Sequence, residues 1–199
     1  GYKMLPAPLC RAMEELENEL LVEVDPLLID VKLDRAMFQL IFEKLHKTRC
    51  PAALNYFRGR VDLLNAITLL RLRRMGRDEQ FLDKVLLPGG AIGTDAWHTA
   101  FADSEKLPGL VKGYGEKVED AARLAVRDFH HLPGLEKAMD NALLAQFAQY
   151  RHDLMRFETI VGYLLAVERE ASAVRLVMAG KQNGFDMEAI RERLRDLYG

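Results

Sequence analysis

The sequence predicts an all-α fold, and three observations predict it. Apolar residues recur at spacings of three and four almost throughout, the period of one helix face. No segment alternates apolar and polar residues as a half-buried strand does, and no Asn-Gly turn joins two β-branched runs. The breaks between periodic segments carry Pro, Gly and Asp at positions suited to ending one helix and capping the next. With 199 residues and 49% apolar content, the chain can build a substantial core.

Pro8 to Leu21 forms the first predicted helix, with Leu9, Met13, Leu16 and Leu20 inward. Asp25-Pro26 breaks it, and Asp30 caps a second helix to about His46. Its predicted apolar face is Leu33, Met37, Leu40, Ile41 and Leu45. After a turn at Thr48–Pro51 a long helix runs from Ala52 to about Met75, burying Leu54, Phe57, Val61, Leu64, Ile67 or Thr68, and Leu72. Gly76 stops it and Asp78 caps a short helix to about Leu86. Leu87 to Gly93 reads as a loop, and Thr94 caps a short helix through Trp97. Glu116 to His130 is helical, Leu132-Pro133-Gly134 a turn, and Leu135 to His152 helical. A long helix follows from about Leu154 to Gln182. Gly184 ends it, Asp186 caps the last helix, and Leu194 and Leu197 point inward.

The chain also repeats itself. Leu5-Pro6 recurs in the second half as Leu107-Pro108, and Leu33-Asp34-Arg35-Ala36-Met37 recurs at the same interval as Leu135-Glu136-Lys137-Ala138-Met139. At a slightly longer interval Gly76, Asp78, Leu82 and Leu86 recur as Gly184, Asp186, Ile190 and Leu194, and Asp62 as Glu170. We therefore expect two related helical repeats, 1–106 and 107–199. Duplicated helical units build scaffolds more often than active sites.

Composition narrows the function classes. The charges nearly cancel, 28 Lys and Arg against 30 Asp and Glu, so no global basic field favours nucleic acid. No apolar run reaches the roughly 18–20 residues a membrane-spanning helix needs. Two distant cysteines, Cys10 and Cys50, argue against a disulfide framework or a structural zinc site and suit a reduced cytosolic setting. Gly1 rather than Met opens the sequence with no leader pattern after it, which fits an internal piece of something longer.

The polar motifs read mainly as structure. Pro88-Gly89-Gly90-Ala91-Ile92-Gly93 lacks the Gly-Lys-Ser/Thr ending of a phosphate loop and no strand precedes it, so it reads as an interhelical turn. His46, His98, His130, His131 and His152 lack metal-ligand spacing. Glu168 and Glu170 stand two apart in a helix and cannot face each other as an acid–base pair. No nucleophile motif stands out, so no catalytic residue, cofactor or metal is assigned. The main basic feature is Arg58, Arg60, Arg71, Arg73, Arg74 and Arg77, four of them at the end of the long helix where its dipole favours cations. That end is either a solvated cap or a patch for an acidic partner surface.

A family resemblance rests on particular residues. Asp62-Leu63-Leu64-Asn65, Leu70-Arg71-Leu72-Arg73, Gly76 and Leu86-Leu87-Pro88-Gly89-Gly90 resemble a stretch of the C subunit of V/A-type rotary ATPases, whose eukaryotic equivalent is the d subunit. Tyr163 to Glu170, Val174-Arg175-Leu176-Val177, Gly180-Lys181, Gly184 and Ile190 to Arg195 resemble its C-terminal run. The resemblance implies an all-helical funnel of three repeats, of which this chain carries two and lacks the first. Ala173 departs from the family's Asn. It further implies a non-catalytic central-stalk rotor adaptor, cytoplasmic and peripheral to the membrane. Its partners would be the rotor shaft subunits and the membrane ring subunits, with no nucleic acid and no cofactor. On that footing Arg71, Arg73 and Arg74 are expected on a partner-facing surface, and Asp62, Asn65 and Glu170 as polar ties between helices. Two rivals remain: a helical enzyme or ligand-binding domain using the Pro88–Gly93 loop beside Trp97 and His98, and a generic helical scaffold.

Overall fold

The computed structural model describes residues 4–19, 26–48, 50–153 and 155–196, and among them there is no strand. The chain is all-α and divides into two compact units, Gly1–Phe101 and Ala102–Gly199.

The first unit contains α1 (Ala7–Glu19), α2 (Pro26–Thr48), α3 (Pro51–Arg74), α4 (Glu79–Val85) and α5 (Thr94–Ala102), the last crossing the division by one residue. The stripe of α1 sits inward at Ala12 and Leu16, while the predicted Leu20 and Leu21 lie outside the described residues. The helix α2 starts at Pro26 rather than at Asp30. Proline has no N–H to lose in a first helical turn, so the residue read as a breaker is a starter. The buried residues of α2 are Val31, Ala36 and Phe38, and its predicted face is only half covered, with Met37 exposed. Phe38 stacks on Phe42 at 6.2 Å. Arg35 of the same helix donates from Nη2 to the carbonyls of Leu86 (2.8 Å) and Asp83 (3.3 Å), a cation placed on the negative end of α4. Burial pushes the Arg35 guanidinium below its ordinary pKa.

The helix α3 is central to the first unit. Val61, Leu63, Ala66, Leu69 and Leu72 are all essentially inaccessible, and they spread over about 200° of the helix rather than along one narrow stripe. It ends with the Met75 N–H on Arg71 O, Gly76 on Arg73 O and Arg77 on Leu72 O, with Gly76 at φ 64°. Only glycine adopts that left-handed conformation without cost. Asp78 Oδ1 then accepts from the Phe81 N–H at 2.9 Å and starts α4.

The second unit contains α6 (Leu107–Val111), α7 (Glu116–Arg127), α8 (Leu132–Ala145), α9 (Phe157–Gln182) and α10 (Met187–Arg193), joined by short 3-10 turns. The sequence reading has no counterpart of α6. Leu132-Pro133-Gly134, expected as a turn, is the first turn of α8, again because proline is tolerated there. The predicted helix to His152 stops at Ala145 and becomes a 3-10 turn at Ala148–Tyr150. Leu154 and Leu197 lie outside the described residues. The helix α9 seats a face of small residues: a Cβ on Gly162 would come within 2.9 Å of the Phe147 Cβ, and one on Gly180 within 2.8 Å of Ile190. Those contacts are reached because glycine has no Cβ.

The second unit closes as the first does. The Asn183, Gly184 and Phe185 N–H groups donate to Ala179, Lys181 and Gly180, the repeat counterparts of the three bonds that end α3, with Gly184 at φ 71°. Asp186 Oδ1 accepts from the Ala189 N–H at 2.7 Å, as Asp78 does from Phe81. The neighbour pattern recurs as well: α1 on α2, α2 on α3 and α4, α3 on α4; then α7 on α8, α8 on α9 and α10, α9 on α10.

Candidate partner interface

Arg71, Arg73 and Arg74 occupy the last turn of α3, at the negative end of its dipole, and all three are exposed. Arg73 reaches the Phe101 carbonyl through Nη1 and so ties the end of α3 to the end of α5. The Arg77 guanidinium lies 4.6 Å from the centre of the Phe81 ring. Exposed Met75 sits among these cations. The surface is cationic with one apolar residue, suited to an acidic or amphipathic protein surface.

The middle of α3 carries a buried polar ladder. Asn65 donates from Nδ2 to the Leu87 carbonyl (3.0 Å) and accepts at Oδ1 from the Leu87 N–H (2.8 Å), so one side chain satisfies both backbone groups of that residue. Asp62, fully buried, accepts the N–H groups of Ala91 (3.0 Å) and Ile92 (3.3 Å). Both residues hold a loop against α3 rather than one helix against another. A Cβ on Gly90 would fall 2.1 Å from Asp62 Oδ1, so the loop needs glycine there to approach. Two N–H groups of the Pro88–Gly93 loop therefore already point at a carboxylate, and an anionic phosphate would compete with it.

Glu170 is exposed on α9. Its neighbour Arg169 does the tying, donating from Nη1 to Asn141 Oδ1 (3.0 Å) and the Asp196 carbonyl (3.2 Å), and from Nη2 to the Asp140 carbonyl (2.5 Å). Asp140 and Glu136 also pair with Arg195, at 3.0 and 3.6 Å. The signal for Arg169 was register: Gly162, Ala166 and Arg169 fall at i, i+4 and i+7 on the inward face. Arg169, with Lys117, Lys137, Asn141 and Arg151, lines a cleft of about 630 Å³ in this unit.

His98 is held at both ring nitrogens, Nδ1 to Glu79 Oε1 at 2.8 Å and Nε2 to Asp83 Oδ1 at 2.9 Å. These bonds clamp α5 to α4. A ring flanked by two carboxylates binds a second proton more readily. The hydrogen bond to Glu79 is the main cause of the raised His98 pKa, with Asp83 adding to it against a smaller opposing effect of burial. Because the folded value exceeds the unfolded one of about 6.5, the stabilisation is complete below about pH 6.5 and is lost as pH rises through the folded value. Denaturant midpoints taken from pH 5 to 9 are expected to fall across that window, and His98→Gln is expected to flatten the fall. The other histidines, His46, His130, His131 and His152, are exposed. Among the described residues no group of three or more His, Cys, Asp or Glu side chains is placed to hold a metal ion.

Comparison with known proteins gives this arrangement its context. The family model described as ATP synthase (C/AC39) subunit matches residues 2–193. The chain belongs to that family. The C subunit of the A-type ATP synthase of Thermococcus gammatolerans is 25% identical over 191 residues, covering 90% of this chain and 50% of the relative. The C subunit of the same kind of synthase from Haloferax volcanii is 29% identical over 171 residues, 81% of this chain and 47% of the relative. That of Thermococcus onnurineus is 29% identical over 149 residues, 71% and 38%. The chain thus spans about half the length of the curated C/AC39 relatives it matches. No solved structure matches it. Among the described residues no helix is long and apolar enough to cross a membrane.

Proposed function

We propose that this chain serves as a central-stalk rotor adaptor of a V/A-type ATPase or ATP synthase, the counterpart of the eukaryotic d subunit. It performs no ATP chemistry. It joins the rotor shaft subunits to the membrane ring subunits from the cytoplasmic side, peripheral to the membrane, and its two units correspond to the middle and last of the family's three repeats. The observation that carries this reading is the family match across residues 2–193. The structure lends physical support. A torque-bearing part has to resist bending and slippage, and here long helices are pinned by glycine-stopped ends, buried polar ladders and close-packed small residues.

Arg71, Arg73 and Arg74 form the partner-facing surface in this reading, while Asp62 and Asn65 serve structure, as does Arg169 in place of its exposed neighbour Glu170. The test is retention of purified shaft subunits and of detergent-solubilised ring by the immobilised chain. We expect retention of at least one, weakened about tenfold (roughly 1.4 kcal/mol) by Arg71→Glu with Arg74→Glu. Retention of neither by the unaltered chain would remove the adaptor reading. Unweakened binding by the double variant would move the interface elsewhere.

A further inference from the structure

The helix α9 carries a second apolar face opposite the one it buries. Gly162, Ala166, Arg169 and Gly180 face the unit's interior. On the other side Phe157, Ile160, Leu164, Val167, Val174 and Met178 are each at least 43% exposed, with half-buried Ala171 in line between them. Their spacing is 3, 4, 3, 4, 3, 4. That is an uninterrupted heptad seam over about 30 Å of helix.

A strict period of 3.5 is what helix-on-helix pairing requires, whereas a helix lying on a broad core needs the wider 3.6 stripe. Nothing in the unit's architecture demands the exposure. In α3 the repeat counterparts Ala52, Gly59, Leu63, Ala66 and Leu70 are buried, and Tyr56 is half-buried. A contiguous apolar strip of this length on a water-facing helix marks an interaction surface.

The flanking charges say what covers it. Exposed Glu168 and Arg175 share one flank of the seam and exposed Glu170 lies on the other. Two copies of α9 laid parallel bring Glu170 of each against Arg175 of the other. Laid antiparallel across Ala171 and Val174, they bring Glu168 against Arg175 twice. In both senses the seam is complementary to itself in charge as well as in apolar register. The geometry points to a second copy of this chain as its occupant: the free protein pairs through α9, seam to seam.

Sedimentation equilibrium of the full chain tests this. A mass rising from one chain to two is expected between about 1 and 100 µM. Leu164→Glu and, separately, Val174→Glu are expected to abolish the rise with an unchanged far-ultraviolet spectrum, because both side chains are more than half exposed. Arg175→Glu is expected to weaken pairing about tenfold, and mixing it with the Glu168→Arg, Glu170→Arg double variant to restore a mixed dimer. A single-chain mass at the highest concentration overturns the proposal. So does a dimer indifferent to Leu164→Glu, which would pair through another face, or a seam that stays single while taking up a different subunit's helix.

Discussion

Trp97→Ala is expected to cost about 3–5 kcal/mol, the range for emptying a fully buried aromatic site. Trp97 is 1% exposed and is the largest fully buried side chain described, and it lies on a nine-residue helix. So short a helix does not persist alone in water. Its place depends on this anchor and on polar fastenings at His98 and Phe101. The indole N–H adds a diagnostic detail, for it is buried without a hydrogen-bond partner. Trp97→Phe loses packing volume but also removes that orphan donor, so its cost is expected to be about 1–2 kcal/mol. Urea denaturation followed by circular dichroism measures both, since the only tryptophan is the residue replaced. A Trp97→Phe cost as large as that of Trp97→Ala would show that a phenyl ring does not refill the site and would overturn this expectation.

Asn65→Ala is expected to cost about 2–4 kcal/mol. The substitution strands both the N–H and the carbonyl of Leu87, and Leu87 is itself buried, so water does not replace the lost partner. Asn65→Asp is expected to be at least as damaging, because a carboxylate accepts from the Leu87 N–H but has no hydrogen to give the carbonyl, and it brings a charge inside. The same urea titrations measure both variants. The second unit provides the contrast. Ala173 occupies the position equivalent to Asn65, and in that unit Asn141 of α8 accepts the Asp196 N–H at 3.1 Å. A local asparagine in one unit is matched by a distant one in the other. Asn141→Ala is therefore expected to loosen the C-terminal segment, visible as faster amide exchange after Leu194, with α9 itself unaffected at its N-terminal end.

The helix stops were the most legible part of the sequence, because Gly76 with Asp78 and Gly184 with Asp186 act on backbone close beside them. The starts of α2 and α8 misled for the opposite reason: a proline that ends one helix and a proline that opens the next look alike until the path of the chain around it is known. Periodicity placed the buried stripe of α3 along Leu54, Phe57, Val61 and Leu64, yet Leu54, Phe57 and Leu64 are only half-buried and the buried arc runs instead through Asp62, Leu63, Ala66 and Leu69, because the covering neighbours are distant in sequence. At the candidate interface the arginine cluster was legible from helix-end placement alone. Asp62 and Asn65 were recognisable as polar residues inside an apolar run, but their bonds to a loop were not, since that loop follows only after the whole of α4. The distinction between Glu170 and Arg169 turned on about 100° of helix rotation, which only the register of Gly162 and Ala166 resolves.

One guanidinium, that of Arg169, holds the middle of α9, the second half of α8 and the chain at Asp196 together. Such a rivet makes the tail and the long rod fail as one: peeling back the last residues withdraws an acceptor from the very group that pins α9 along its length. Strain applied at the tail is thereby felt halfway up the rod, where a hinge would otherwise form.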